Sequence, residues 1–129
     1  MGKLHMFSLI FSSVPLMSPL ELFKNLSDST RLQSLLFIHQ EKELCVCELM
    51  VALELSQPKV SRHLALLREA GLLETERRGQ WIFYHVSRQL ENWSLAIINE
   101  AYQQSDLTDL NKRLAGMGNR PERIQQCCA

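Results

Sequence analysis

The sequence contains no apolar run long enough to cross a membrane. The longest candidate, residues 6–17, is interrupted by Ser12, Ser13 and Pro15, whereas a membrane-spanning helix needs about 20 consecutive apolar residues. The same stretch lacks the small-residue cleavage site of a secretory signal. We therefore expect a cytoplasmic protein with no membrane partner, whose cysteines are reduced thiols.

Glycine is also scarce, at 5 of 129 residues, and no glycine-rich loop precedes a predicted helix. Loops of that kind bind phosphates at helix N-termini. None of the four cysteines is followed by a phosphate-type loop and an arginine, which a thiol-based reductase would use to hold its anionic substrate. A thiol redox enzyme is therefore a remote alternative, and we expect no enzymatic activity.

Net charge is absent overall, but the charge is unevenly distributed. Residues 57–88 carry six Lys/Arg and three Glu, a net charge of +3, and the remainder of the chain carries −3. A basic segment inside a neutral protein is typical of a surface that contacts DNA.

Hydrophobic spacing predicts four helices, a hairpin and a last helix in residues 18–105. The helices are expected at about 19–27, 28–40, 45–53 and 57–70, followed by strands at 73–77 and 81–86 and a helix at 89–104. Residues 1–17 are predicted to be an N-terminal arm. Residues 106–129 are predicted to be a C-terminal tail, in which 106–115 can form a short helix and 116–129 should be loose.

This order predicts a mainly α fold with a two-stranded β-wing, the winged helix-turn-helix. In that fold the second helix of the pair enters the major groove of DNA. Val60, Leu64 and Leu67 are expected to face the core. The donor-rich residues left over can contact bases and phosphates, with two arginines at the wing tip beside them. The DNA-binding candidates are Gln57, Lys59, Ser61, Arg62, His63, Arg77 and Arg78.

Four segments carry a resemblance to a known family. They are ELCVCEL at 43–49, LSQPKVSRHL at 55–64, LREAGL at 67–72 and RGQWIFY at 78–84. Over roughly residues 20–104 the sequence resembles the arsenical-resistance repressors of the ArsR/SmtB family. The resemblance implies a homodimer, packed through its first and last helices, that represses transcription from a palindromic operator in double-stranded DNA.

The resemblance also implies that Cys45 and Cys47 bind the inducer, arsenite, As(III). On an ideal helix, residues i and i+2 lie 200° apart, so one ion cannot be bridged by both thiolates while the first turn of the third helix stays intact. We therefore expect binding to distort that helix, which supports the DNA-reading helix, and so to oppose DNA binding.

Thiolates select soft ions, and trivalent arsenic or antimony prefers three sulfur ligands. The family's third cysteine is replaced here by Met50, so Cys127, Cys128, a small thiol or hydroxide could complete the site. In the family that the sequence resembles, cadmium or lead sensors add thiolates from the N-terminal arm, and zinc or nickel sensors use Asp, His and Glu of the last helix. The resemblance therefore disfavours both types here, because residues 1–44 contain no cysteine and residues 89–104 contain no histidine or aspartate. Two alternatives stay open, namely another soft metal, or oxidation of Cys45 and Cys47 to a disulfide.

Overall fold

The computed structural model describes residues 17–127, so the predicted arm lies, except for Met17, outside the described residues. The helices of this range are α1 (Pro19–Leu26), α2 (Ser29–Glu41), α3 (Val46–Leu53), α4 (Gln57–Glu69), α5 (Asn92–Gln104), α6 (Thr108–Ala115) and α7 (Glu122–Cys127). The strands are β1 (Leu44–Cys45), β2 (Leu73–Arg78) and β3 (Trp81–Val86). None of the described helices is long and apolar enough to cross a membrane.

Short polar side chains begin the first two helices. The Ser18 hydroxyl accepts a hydrogen bond from the backbone N–H of Glu21 at 3.2 Å. The Asp28 carboxylate accepts one from the N–H of Arg31 at 3.0 Å. Each bond satisfies a backbone donor that the helix leaves unpaired at its start.

One continuous apolar core joins the helices. Leu22, Phe37, Leu49, Leu64 and Ile98, from α1 to α5 in turn, are fully buried in it. The predicted inward face of the DNA-reading helix is confirmed, since Val60, Leu64 and Leu67 are all buried. Burial of one face fixes α4 and leaves its opposite face exposed.

The sheet confirms the winged helix-turn-helix but has one strand more than predicted. Its order is β1–β3–β2, with both pairings antiparallel. Lys42 has a φ of 76°, and after this reversal the chain runs along β3, where Cys45 pairs with Phe83. A strand of two residues is too short to produce a periodic pattern, which is why the sequence did not predict it.

The prediction of a loose segment from residue 116 is wrong as far as Cys127. Helix α6 confirms the short helix predicted within residues 106–115 and buries Leu110 and Leu114. Helix α7 lies in the segment predicted to be loose, and it buries Ile124. Few apolar side chains point to this packing, so hydrophobic periodicity could not predict it. Much of the attachment of α7 comes instead from ion pairs with the start of α3.

Candidate DNA-reading surface and thiol site

The first two turns of α4 present part of the predicted DNA-binding set. Gln57, Lys59 and Arg62 are exposed, and Ser61 is half-buried. The side-chain amide of Gln57 donates a hydrogen bond to the Ser61 hydroxyl at 2.8 Å. This pair forms part of a polar surface in the first two turns of α4, to which the exposed Lys59 and Arg62 also belong.

His63 lies on a different side of α4. Its side chain is only 14% exposed, and its Nδ1 is 3.8 Å from the Asp28 carboxylate and 3.5 Å from the Arg31 guanidinium. The structure therefore places the His63 side chain between α4 and the start of α2, one helical turn after Lys59.

The two wing arginines also differ. Arg77 is exposed beside the tip, and its Nε donates to the carbonyl of Gly79 at 3.1 Å. Arg78 turns back toward the body of the protein, where it pairs with the Glu43 carboxylate. Its guanidinium also lies 4.0 Å from the centre of the Phe83 ring. Only Arg77 is presented at the tip without an ion pair that the structure shows.

The angle of 200° between Cys45 and Cys47 was predicted for two residues of one helix. The structure does not place both residues within one helix. Cys45 is the N-cap of α3, with an extended backbone (φ −91°, ψ 166°), and also belongs to β1. Cys47 is the second residue of α3. The premise that both thiols project from one regular helix is therefore wrong, because the strand pairing of Leu44 and Cys45 delays the helix start.

Two cysteines far apart in sequence meet instead. Cys47 and Cys127 form a disulfide, with Cα atoms 5.6 Å apart. Cys45 is 2% exposed and packs with Phe83 and Ile124, and Cys47 packs against the same cluster. Cys128 lies outside the described residues. Within residues 17–127 no group of three or more His, Cys, Asp or Glu side chains is already arranged around a metal position.

A buried carboxylate lies beside these cysteines. Glu48 is fully buried, and it accepts hydrogen bonds from the N–H of Cys45 at 3.0 Å, from Arg120 at 2.6 Å and from Arg123 at 2.7 Å. Burial raises the pKa of Glu48, but these hydrogen bonds and the two positive charges bring it below its ordinary value. Glu48 is therefore a charged group at the centre of the site.

Glu43 connects this site to the wing. Its carboxylate pairs with Arg78 of β2 and, at 3.0 Å, with Arg120. Burial raises the pKa of Glu43, but the two arginines lower it overall. Burial lowers the pKa of Arg120, whereas Glu48 and Glu43 raise it above its ordinary value. The wing and the C-terminal segment thus share one carboxylate.

The sequence did not predict four residues of the site, namely Glu43, Glu48, Arg120 and Arg123. One local signal pointed to Glu48, because a carboxylate three residues after an N-cap is the pattern of a capping box, and Cys45 and Glu48 form one. The arginines are 72 or more residues away in sequence, so no local pattern could connect them to it.

Comparisons with known proteins support the regulator interpretation. The model of the family described as bacterial regulatory protein, arsR family, matches residues 28–75. An arsenic resistance transcriptional regulator of Pseudomonas putida is 44% identical over 115 residues, which cover 88% of this chain and 100% of that protein. The arsenical resistance operon repressor of Escherichia coli is 51% identical over 85 residues, or 66% of this chain and 73% of that protein.

A solved structure of a regulator has a similar fold. The transcriptional regulator HlyU of Vibrio vulnificus is 33% identical, with a TM-score of 0.60 over 67% of this chain and 86% of that one. These relatives are transcriptional regulators with a winged helix-turn-helix, and the chain is likewise a regulator and not an enzyme. Its sequence similarity to them and its fold together show that the chain belongs to the ArsR family of bacterial regulatory proteins.

Proposed function

We propose that the protein is an arsenite-responsive transcriptional repressor. It binds operator DNA as a homodimer in the cytoplasm, and it is released when As(III) binds Cys45 and Cys47, with the third ligand open between Cys127 and Cys128. The observation that carries this proposal is the position of the thiols, at the junction of β1 and α3 and directly against the wing. The names of the Pseudomonas and Escherichia relatives support arsenic as the inducer.

The DNA surface combines the start of α4 with the wing tip. Lys59, Arg62 and Arg77 supply exposed positive charge for phosphates and guanine edges, and Gln57 and Ser61 supply neutral donors and acceptors. Since His63 faces Asp28 and Arg31, and Arg78 pairs with Glu43, we propose that His63 and Arg78 position the reading surface and do not contact DNA in this conformation.

Coupling between the two sites runs through Phe83. Cys45 pairs with Phe83 across the strands and packs against it, and Arg78 lies over the same ring. Drawing the buried Cys45 side chain toward an ion would disturb this packing and so the wing. A ligand that favours the disturbed shape lowers affinity for DNA by the same coupling free energy with which DNA lowers affinity for the ligand.

An exposed apolar surface supports the dimer. Leu20 and Phe23 of α1 are 76% and 54% exposed, and Leu95 of α5 is 37% exposed. Large side chains of this kind, on the first and last helices of the winged domain, are the type that a second copy of the chain would cover.

A second candidate inducer is an oxidant. The Cys47–Cys127 disulfide favours this alternative in a form different from the expected pairing of Cys45 with Cys47. Antimonite is a further alternative, because it has the same preference for three thiolates.

Release from DNA tests the inducer. Fluorescence anisotropy of a duplex from the region upstream of the protein's own gene would be followed during titration with arsenite, antimonite or hydrogen peroxide. We expect arsenite to release the wild-type protein in the presence of a phosphine reductant, and Cys45→Ser to need at least about tenfold more, a loss of about 1.4 kcal/mol of coupling. Release of Cys45→Ser at the wild-type arsenite concentration would contradict the proposal.

Salt dependence tests the DNA surface. Lys59→Ala should weaken binding and lower the slope of log affinity against log salt by about one, because one phosphate contact is lost. Lys112→Ala is the matched control, since Lys112 is also exposed but lies on α6. Equal slopes of log affinity against log salt for the two variants would show that Lys59 does not contact a DNA phosphate.

A further inference from the structure

The C-terminal helix brings a third cysteine to the proposed sensing site. Cys127, the last residue of α7, meets Cys47 in the first turn of α3, although their sequence separation is 80. Ile124, one turn earlier on α7, is buried against Cys45 and Phe83. Residues of α7 therefore contact both cysteines of the pair that the sequence had singled out.

This arrangement does not depend on the sulfur–sulfur bond alone. Arg120 and Arg123 donate to the two oxygens of the buried Glu48 at 2.6 and 2.7 Å. Arg120 also donates to the carbonyl of Glu43 at 3.2 Å. Breaking a buried ion pair on one side leaves an uncompensated charge, so these contacts oppose detachment of the segment when the two thiols are reduced.

We propose that Cys127 is a thiolate ligand of the trivalent metalloid, supplied by α7 and completing the site with Cys45 and Cys47. This inference rests on the proposed function and deepens it, because it names the third ligand. In the reduced protein three thiols react with arsenous acid, As(OH)3. Three S–H and three As–O bonds break, three As–S bonds form, and three waters leave. A Cys47–Cys127 disulfide must first be reduced by a thiol or phosphine, which supplies the two electrons.

The same segment gives the metalloid a second route to the wing. Arg120 and Arg78 share the Glu43 carboxylate, and both guanidinium groups lie over the Phe83 ring, at 5.1 and 4.0 Å from its centre. Movement of α7 toward a bound ion would change the partners of Arg78. The ligand that completes the site is thus attached to the segment that holds the wing arginine.

Adjacent cysteines provide the matched pair of variants. X-ray absorption of the arsenite complex, prepared with a phosphine reductant so that no added thiol can bind, should count three sulfur neighbours in the wild type and in Cys128→Ser. Cys127→Ser should show two, and should need at least tenfold more arsenite for release from DNA. Three sulfur neighbours in Cys127→Ser, or release at the wild-type concentration, would overturn the assignment.

A second variant keeps all the thiols. Arg123→Gln removes one ion pair with Glu48 and should raise the arsenite concentration needed for release, while the saturated complex still shows three sulfur neighbours. This variant decides the case if Cys127→Ser does not fold, since an unchanged release concentration would contradict a site that depends on docking of α7. If arsenite fails to release even the wild-type protein, the proposed function itself is wrong. If arsenite releases the wild type and Cys127→Ser at the same concentration, only the assignment of Cys127 as a ligand is wrong.

Discussion

At the scale of single residues, Glu48 is the most constrained charge that the structure describes. Its carboxylate is removed from water and accepts hydrogen bonds from two arginines and from the N–H of the residue that begins α3. Removing such a group takes a buried charged acceptor from two guanidinium groups and from a backbone donor. The local sequence suggested a helix cap at this position, but not an ion-pair network.

We therefore predict that Glu48→Gln lowers the free energy of unfolding by about 3–5 kcal/mol. Glu54→Gln is the matched control, because Glu54 pairs with Arg113 at 3.3 Å but is 71% exposed, and we expect it to cost less than about 1 kcal/mol. Urea unfolding followed by circular dichroism measures both. Similar losses for the two variants would show that the buried network contributes no more than a surface pair.

At the scale of elements, ionised carboxylates hold α7 against α3 and β1. The folded-state pKa values of Glu43 and Glu48 lie below their ordinary value of 4.5. A group with a depressed pKa contributes stability that is fully present above the unfolded value and is lost as the pH falls through the folded value. Attachment of α7 should therefore be constant at neutral pH and weaken only in acid, below about 4.5.

Trp81 reports on this attachment, because it packs against the cluster of Cys45, Phe83 and Ile124. In a Trp93→Phe background, under reducing conditions, its fluorescence should change as the pH falls below 4.5. We expect Arg123→Gln to shift that change to higher pH, because one of the charges that lower the pKa of Glu48 is gone. A fluorescence transition at the same pH with and without Arg123→Gln would show that titration of Glu48 does not control the docking of α7.

Elements also show how far the sequence could predict the site. The helix pair and the hairpin follow from apolar spacing and from Gly79, whose φ of 63° suits the wing turn. The exposure of Gln57, Lys59 and Arg62 on α4 followed from the same spacing, because a buried face defines an exposed one. A contact of these residues with DNA stays a prediction. Apolar spacing could not predict strand β1, because this strand is only two residues long. It could not predict the docking of α7 either, because that docking depends on charged residues 72 or more positions away from Glu48.

At the scale of the whole molecule, Leu20 and Phe23 of α1 are the most exposed large apolar side chains that the structure describes, at 76% and 54%. Leu95 of α5 is 37% exposed. A palindromic operator requires two reading helices at a fixed spacing, so loss of the dimer should appear as loss of DNA affinity.

Phe23→Glu is expected to yield a monomer in sedimentation velocity and to bind operator DNA more than about tenfold more weakly, a cost above 1.4 kcal/mol. The control is Ile82→Glu, which places the same charge on a wing residue that is 43% exposed. Ile82→Glu should remain dimeric. A dimeric Phe23→Glu would exclude α1 from the interface.

The sequence separation of 80 between Cys47 and Cys127 has a topological consequence. Any bond that links the two sulfurs, whether a disulfide or a shared arsenic atom, closes a ring of backbone that contains the reading helix and the whole wing. Closing a loop of this length removes about 4–5 kcal/mol of chain entropy from the unfolded state. The inducer would then stabilise the fold in the same event in which it lowers affinity for DNA, so the released repressor should melt at a higher temperature than the ion-free reduced protein.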